Sequence, residues 1–120
     1  MYIDGCNDVC SMSCEFQSLY FGDDGYVVRC KQCGHYQLAY MCICITLNET
    51  DYRAFCKIVN RKYEEAAYHF AEHSKCITIQ TPAEGICFLL TRAEAKRFTE
   101  ILEEADTEAK AQSLISLFNS

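Results

Sequence analysis

The stretch YQLAYMCICITL, residues 36–47, is the strongest indication of the fold, because it contains neither glycine nor proline. Both sets of alternate positions are mostly apolar, so a strand here would be covered on both faces along part of its length. We therefore expect residues 36–47 to form one long strand at the centre of a sheet.

The residues upstream of this strand predict a β-hairpin. Residues 16–21 and 26–30 are strand-like, and Gly22-Asp23-Asp24-Gly25 between them is a strong turn signal. Residues 1–15 are rich in small polar residues, and we expect them to be irregular. The first half of the chain is therefore expected to be a sheet.

A long amphipathic helix is predicted downstream of the strand. Residues 48–50 offer a helix cap, and apolar residues then recur every three or four positions, which predicts about six helical turns. The stripe consists of Tyr52, Phe55, Cys56, Val59, Tyr63, Ala66, Ala67 and Phe70. Residues 76–81 and 86–90 then flank a turn that contains Pro82, which predicts a second hairpin.

The C-terminal third predicts two more helices. Thr91 and Glu94 form a capping box, and the helix that it opens would bury Ala95, Phe98, Leu102 and Ala105. Asp106-Thr107 would cap a last helix that buries Ala111, Leu114, Ile115 and Phe118. The order β-β-β-α-β-β-α-α predicts one α+β domain over residues 1–120, with a largely antiparallel sheet.

The charge and the apolar content of the chain limit the kinds of partner that we expect it to bind. The chain has 120 residues, a net charge of −6 and no block of lysine or arginine, so we expect no nucleic-acid partner. No apolar run approaches the length of a membrane span, and no signal peptide is visible, so we expect a cytoplasmic protein that does not contact membranes. Its ten cysteines are therefore interpreted as reduced thiols.

Four of these cysteines form a candidate metal site. Cys10, Cys14, Cys30 and Cys33 follow the pattern C-x3-C-x15-C-x2-C, and glycine follows the last of them. Two thiolates separated by two residues can share one tetrahedral zinc ion, and a glycine permits the sharp turn around it. The sequence therefore predicts a structural zinc knuckle, and leaves open whether His35 or Cys6 replaces Cys10 as the fourth ligand.

Two other interpretations of Cys30 and Cys33 compete with zinc. Both could be small buried residues at a strand end, since unpaired cysteine is among the most buried residue types. A redox role is disfavoured because a strand, rather than an activating helix N-terminus, follows Cys33. The remaining thiols in apolar patterns are assigned to packing: Cys42, Cys44, Cys56, Cys76 and Cys87.

His69-Phe70-Ala71-Glu72-His73 matches the H-x-x-E-H signature of inverted zinc proteases. It falls in the last turns of the predicted helix, where the helix dipole alone favours histidine. We interpret His69 and His73 as a surface pair rather than a catalytic site.

The stretches GYVVRCKQC (25–33) and QLAY (37–40) resemble a family of small uncharacterised bacterial proteins. In this family an early cysteine, matched by Cys14, precedes Gly-Tyr and a C-x-x-C that Cys30 and Cys33 match. The resemblance covers about residues 14–118 and implies an α+β fold without an assigned activity. The family often has Phe-Gly-Asn where this chain has Tyr40-Met41-Cys42, so the tight turn of the family is not obvious here.

These observations favour a non-catalytic intracellular domain that binds a protein or a small ligand, with a structural zinc ion. The alternative is a thiol- or metal-dependent enzyme that uses Cys30 and Cys33 or His69 and His73. A low-pKa thiol in a cleft, or an open coordination position, would favour the enzyme.

Overall fold

The described residues form six strands and two long helices. The structure is a computed structural model that describes residues 15–66, 75 and 77–119. Its elements in chain order are β1 (Phe16–Gly22), β2 (Gly25–Cys30), β3 (Tyr36–Tyr40), β4 (Ile43–Leu47), α1 (Glu49–Ala66), β5 (Ile77–Gln80), β6 (Cys87–Leu90) and α2 (Arg92–Asn119). Strands β1 to β4 form an antiparallel sheet in sequence order, and β5 pairs with β6 in a second antiparallel sheet. The predicted α+β class is confirmed.

The predicted single strand over residues 36–47 is wrong, because a two-residue turn divides it into β3 and β4. Tyr40 pairs with Ile43, and Met41 between them has a φ of 57°. Positive φ is uncommon for a residue with a side chain, so the sequence carries no turn signal here. The turn implied by the family resemblance is nevertheless present.

The turn between β1 and β2 is the one predicted, and a close backbone approach requires its second glycine. A Cβ atom on Gly25 would lie 2.0 Å from the carbonyl oxygen of Ala39 on β3. The β1–β2 register shifts between Ser18 and Tyr20. Leu19 is buried in the core and Tyr20 packs against it, so this irregularity turns two consecutive side chains towards the helices.

One hydrophobic core joins both sheets to both helices. The predicted face of α1 packs on the core, with Phe55 and Val59 fully inaccessible to solvent and Cys56 and Tyr63 partly buried. Phe88 and Phe98 pack on Phe55 with ring centroids 6.1 and 5.9 Å away, and Tyr40 stacks on Phe98 at 4.5 Å. Ala67 and Phe70 of the predicted stripe lie outside the described residues.

Both predicted helix starts are confirmed by their hydrogen bonds. The Asp51 N–H donates to Asn48 Oδ1 at 2.8 Å. At α2 the Glu94 N–H donates to Thr91 Oγ1 at 3.0 Å, and the Thr91 N–H donates to Glu94 Oε1 at 2.9 Å. These bonds satisfy amides that have no partner within the helix.

The two helices predicted after β6 are one continuous helix. Asp106 and Thr107 lie within α2, and the Thr107 hydroxyl donates to the Glu103 carbonyl instead of capping a new helix. The first half buries the predicted residues Ala95, Phe98, Leu102 and Ala105. The second half does not: Ala111, Leu114, Ile115 and Phe118 are all exposed.

Several cysteines that were assigned to packing are exposed. Cys42 lies in the β3–β4 turn, Cys44 on β4 and Cys87 on β6, and each faces solvent. Cys56 is half-buried, and Cys76 lies outside the described residues. The apolar pattern around a cysteine therefore did not identify its environment, because four-residue and five-residue strands bury only alternate positions.

Within the described ranges, neither helix combines the length and the apolar character needed to cross a bilayer. The His69–His73 motif lies in the gap between those ranges.

Candidate functional site

Cys30 and Cys33 flank a tight turn at the end of β2, which we call the knuckle (residues 30–35). The Gly34 N–H donates to the Cys30 carbonyl at 2.9 Å, and the Cys30 N–H donates to the His35 carbonyl at 2.8 Å. Gly34 has a φ of 75°, a conformation that favours glycine. The Cys33 N–H points at Cys30 Sγ, 3.5 Å away, so the turn brings a backbone donor to the first thiol.

The knuckle is also tied to the start of the described chain. The Lys31 N–H donates to the Glu15 carbonyl at 2.9 Å, and the Glu15 N–H donates to Gln32 Oε1 at 2.7 Å. Gln32 Oε1 also accepts from Cys30 Sγ at 3.6 Å. Glu15 is thus held against the knuckle, and Cys14 is its neighbour in sequence.

The structure brings Cys30 and Cys33 to one turn, whereas the proposed ligands Cys10 and Cys14, and the alternative Cys6, lie outside the described residues. In the described part of the chain, no group of three or more histidine, cysteine or acidic side chains could hold a metal. His35 therefore does not complete a site with the two cysteines alone. Its Nδ1 is buried and has no hydrogen-bond partner among the described residues.

A large cavity lies between α1, the second half of α2 and the four-stranded sheet; we call it the interhelical pocket. Its volume is about 790 Å³, within the range of small-molecule sites. Its apolar lining includes Leu102, Ala109, Leu114 and Leu117 from α2. Leu114 and Leu117 are 57% and 72% exposed, so one apolar wall of the pocket is open to solvent.

A stacked pair of tyrosines forms the inner wall of the interhelical pocket. The rings of Tyr36 and Tyr52 lie 4.0 Å apart and almost parallel, at 6°. Tyr52 is only 6% exposed, and its hydroxyl is shielded from solvent. Its polar neighbour is the Cys56 thiol, a weak hydrogen-bond acceptor. Burial, reinforced by the neighbouring Cys56 thiol, raises the pKa of this phenol, so it remains protonated and able to donate.

Arg29 reaches the pocket from the sheet. Arg29 lies two residues after the core residue Val27 on β2. The two side chains therefore point to the same face of the sheet, which the helices cover. Its guanidinium donates to Gln17 Oε1 at 2.6 Å and to the Tyr36 hydroxyl at 3.4 Å, and lies 5.8 Å from the centre of the Tyr36 ring. No ion pair links it to a carboxylate of the described residues.

The charge of the pocket opposes that of the whole chain. Among the described residues, four basic side chains (Arg29, Arg53, Lys57 and Lys110) and two acidic ones (Glu103 and Asp106) line it, whereas the chain carries a net charge of −6. Glu49 and Asp106 neutralise Arg53 and Lys110 at 2.9 and 3.0 Å. The sequence analysis missed this site because its residues are distant in sequence. The one local signal was an arginine on the buried face of an apolar strand.

Among the described residues, Cys56 on α1 is the only cysteine that lines the interhelical pocket. Burial raises the pKa of its thiol to about 11. A thiol with this pKa is almost fully protonated at neutral pH, and the thiol is a much weaker nucleophile than the thiolate. The pocket is therefore suited to binding rather than to thiol chemistry.

A second cavity, of about 880 Å³, lies between the knuckle, the first turn of α1 and the end of α2. Cys30, Lys31 and Gly34 line it on the knuckle side. Arg29 and Leu117 line both this cavity and the interhelical pocket. The knuckle and the pocket are thus neighbouring features on one side of the molecule.

Comparison with known proteins identifies the family but not the activity. No curated protein and no solved structure matches the chain significantly. The sequence model of a family of unknown function, DUF6686, matches residues 12–119, a range that includes the knuckle, both sheets and both helices. The chain therefore belongs to this family of unknown function, DUF6686.

Proposed function

We propose that this chain is a non-catalytic binding domain whose ligand occupies the interhelical pocket. The observation that carries the proposal is a cavity of about 790 Å³ with one apolar wall, Leu114 and Leu117, open to solvent. Exposed leucines beside a cavity are stabilised when a ligand removes them from water, by about 25 cal/mol for each Å² covered. A small ligand fits the volume, and it would cover these side chains.

The alternative is a thiol- or metal-dependent enzyme that uses Cys30 and Cys33 or His69 and His73. The protonated state of Cys56 favours binding over catalysis at the pocket itself, because no activated thiol faces the ligand there. An enzyme would instead require an activated thiol at the knuckle or an open metal position, which alkylation rates of the individual cysteines would reveal.

The test uses a bulky substitution that fills the pocket. Ala109 lines the pocket and Ala111 is exposed on the same helix outside it, so Ala109→Trp and Ala111→Trp form a matched pair. The neutral dye Nile red should bind the native protein saturably. We expect Ala109→Trp to weaken this binding at least about tenfold, equivalent to about 1.4 kcal/mol, and Ala111→Trp to leave it unchanged.

Circular dichroism would establish that both variants are folded. If the native protein shows no saturable binding, or if both variants bind the dye as tightly as the native protein, the interhelical pocket is not a ligand site.

We also propose that the knuckle holds a structural zinc ion through Cys30 and Cys33, with Cys14 and Cys10 as the remaining ligands. The chemistry of the turn supports this role, since an N–H directed at Cys30 Sγ stabilises a thiolate. The hydrogen bonds that join Glu15 to the knuckle support it further. They hold Glu15, the neighbour of Cys14 in sequence, against the turn. Bound zinc would link the N-terminal residues to the sheet. Thiolate ligands fit a cytoplasmic setting, where thiols are kept reduced.

Metal analysis tests the zinc proposal directly. Protein purified without chelators should carry about one equivalent of zinc. Cys33→Ser should lose it, and Cys56→Ser, a substitution of a thiol on α1, should retain it. Metal-free protein from zinc-replete cells would leave the knuckle as a turn with two packed thiols.

A further inference from the structure

We propose that the ligand of the interhelical pocket is a small amphipathic carboxylic acid, with its carboxylate on Arg29 and its apolar body along α2. This inference rests on the proposed function and specifies the chemistry of the ligand. It follows from a cation without a described anionic partner and an apolar wall, both of which line one cavity.

Arg29 supplies the charge that selects an anion. A guanidinium has five N–H donors, and the described contacts of Arg29 use one on Gln17 and one on Tyr36. Both acceptors are neutral, so the positive charge is half-buried without compensation from a described carboxylate. Such a charge is unfavourable until an anion pairs with it, and an arginine fork matches the two oxygens of a carboxylate.

The stacked rings of Tyr36 and Tyr52 give the pocket an aromatic wall beside Arg29. The Tyr52 hydroxyl is shielded from solvent and lies beside the Cys56 thiol. A ligand in the pocket therefore meets the rings rather than this hydroxyl, and Arg29 is left as its charged contact.

The apolar wall that α2 contributes to the pocket indicates that the rest of the ligand is apolar. Leu102 closes the pocket at the core side, and Leu114 and Leu117 extend from it towards solvent. All three residues line the pocket from α2, so this wall is apolar from the core to the solvent. An alkyl chain or ring directed away from Arg29 would cover them.

One carboxylate suits the pocket better than a more highly charged group. Only Arg29 and Lys57, of the four basic residues in the lining, lack a described ion pair, and Lys57 is exposed. Glu103 and Asp106 in the same lining would repel a second negative charge. A phosphate would bring almost two charges at neutral pH.

The test compares decanoate with decanol, which share an apolar chain and differ in charge. Titration calorimetry at neutral pH, with both compounds below the concentration at which they aggregate, should give a dissociation constant at least about tenfold lower for decanoate, equivalent to about 1.4 kcal/mol. Arg29→Met should remove this preference. Arg61→Met, which deletes an exposed arginine of α1 outside the pocket, should retain it.

Arg29→Lys provides a second variant that keeps the charge and loses the two-pronged fork, so it remains informative if Arg29→Met fails to fold. It should weaken decanoate binding about fivefold and leave decanol binding unchanged, because only the anion uses the fork.

Three results would overturn the inference. Equal affinity for decanoate and decanol in the native protein would show that the pocket binds apolar compounds without selecting an anion, and the proposed function would survive. An equal loss of the preference for decanoate in Arg29→Met and Arg61→Met would show diffuse charge attraction instead of a contact with Arg29. If neither compound binds, the inference fails, and Nile red binding then decides whether the pocket itself is a ligand site.

Discussion

The two halves of α2 have similar apolar spacing but opposite environments. In residues 92–105 the apolar side chains are packed in the core, and Ala95, Phe98 and Ala105 have no exposed surface. In residues 106–118 the large apolar side chains are exposed, and Phe118 reaches 86%. Spacing therefore marks which side of a helix is apolar, but the elements available to cover that side decide whether it is buried.

Anchoring explains why the first half is fixed against the core. The capping box at Thr91 begins the helix beside β6. Arg97 then bonds to Asp24 Oδ2 at 2.7 Å and to the Tyr20 hydroxyl at 2.6 Å, which ties the helix to the β1–β2 hairpin. In the second half, a bond of 3.2 Å from Gln112 to the Ser18 carbonyl joins the helix to β1, and the interhelical pocket separates its leucines from α1.

The largest expected effect contrasts one phenylalanine in each half. Phe98→Ala should destabilise the protein by about 3–5 kcal/mol, because it leaves a cavity among the rings of Tyr40, Phe55 and Phe88. Phe118→Ala should change stability by less than about 0.5 kcal/mol, since its side chain is exposed. Urea denaturation measures both, and a comparable loss in the two variants would show that a part of the protein covers the second half.

The next effect concerns the cap that begins the first half. Thr91→Ala removes the acceptor of the Glu94 N–H and should cost about 1 kcal/mol. Thr107→Ala is the matched control, because this hydroxyl bonds to a carbonyl within the continuous helix. A larger loss from Thr107→Ala in thermal denaturation would mean that a cap at residue 107 divides α2.

A gain of stability is expected from a substitution on α1, at the wall of the interhelical pocket that faces the second half of α2. Tyr52→Phe removes a buried hydroxyl whose described polar neighbour is the Cys56 thiol, a weak acceptor. Relief of the penalty for burying this hydroxyl should stabilise the ligand-free protein by about 1 kcal/mol. Tyr40→Phe is the matched control and should destabilise the protein, because the Tyr40 hydroxyl donates to the Glu94 carbonyl at 2.7 Å. Destabilisation by both substitutions in urea would show that the Tyr52 hydroxyl makes a strong hydrogen bond.

The smallest effect depends on pH. Arg97 holds the pKa of Asp24 below its usual value of 3.8. The carboxylate therefore stabilises the folded state above that value, and this contribution is lost as pH falls through the folded-state pKa. Asp24→Asn should cost less than about 1 kcal/mol at pH 7, since the ion pair is partly exposed.

The difference between the native protein and Asp24→Asn should narrow in urea denaturation at pH 2.5. A difference of the same size at both pH values would show that the Asp24 charge is irrelevant and that only the geometry of its hydrogen bonds matters.

The sequence by itself determined the features that depend on neighbouring residues. Asn48 and Thr91 mark helix starts because their side chains bond to amides three positions away. Residues 22–25 mark a hairpin because they favour a turn locally. The two-cysteine knuckle with Gly34 was visible for the same reason, and its zinc ligands remain a prediction.

Tertiary structure alone decided the features that depend on distant partners. Met41 adopts positive φ because the pairing of β3 with β4 outweighs its local preference. The residues around Asp106 continue as helix because the local capping signal is weaker than continued helical bonding. The interhelical pocket joins Arg29, Tyr52 and Leu114 from three elements, and only packing brings such residues together. No spacing along the chain encodes this contact, because it depends on how the sheet and both helices fill space.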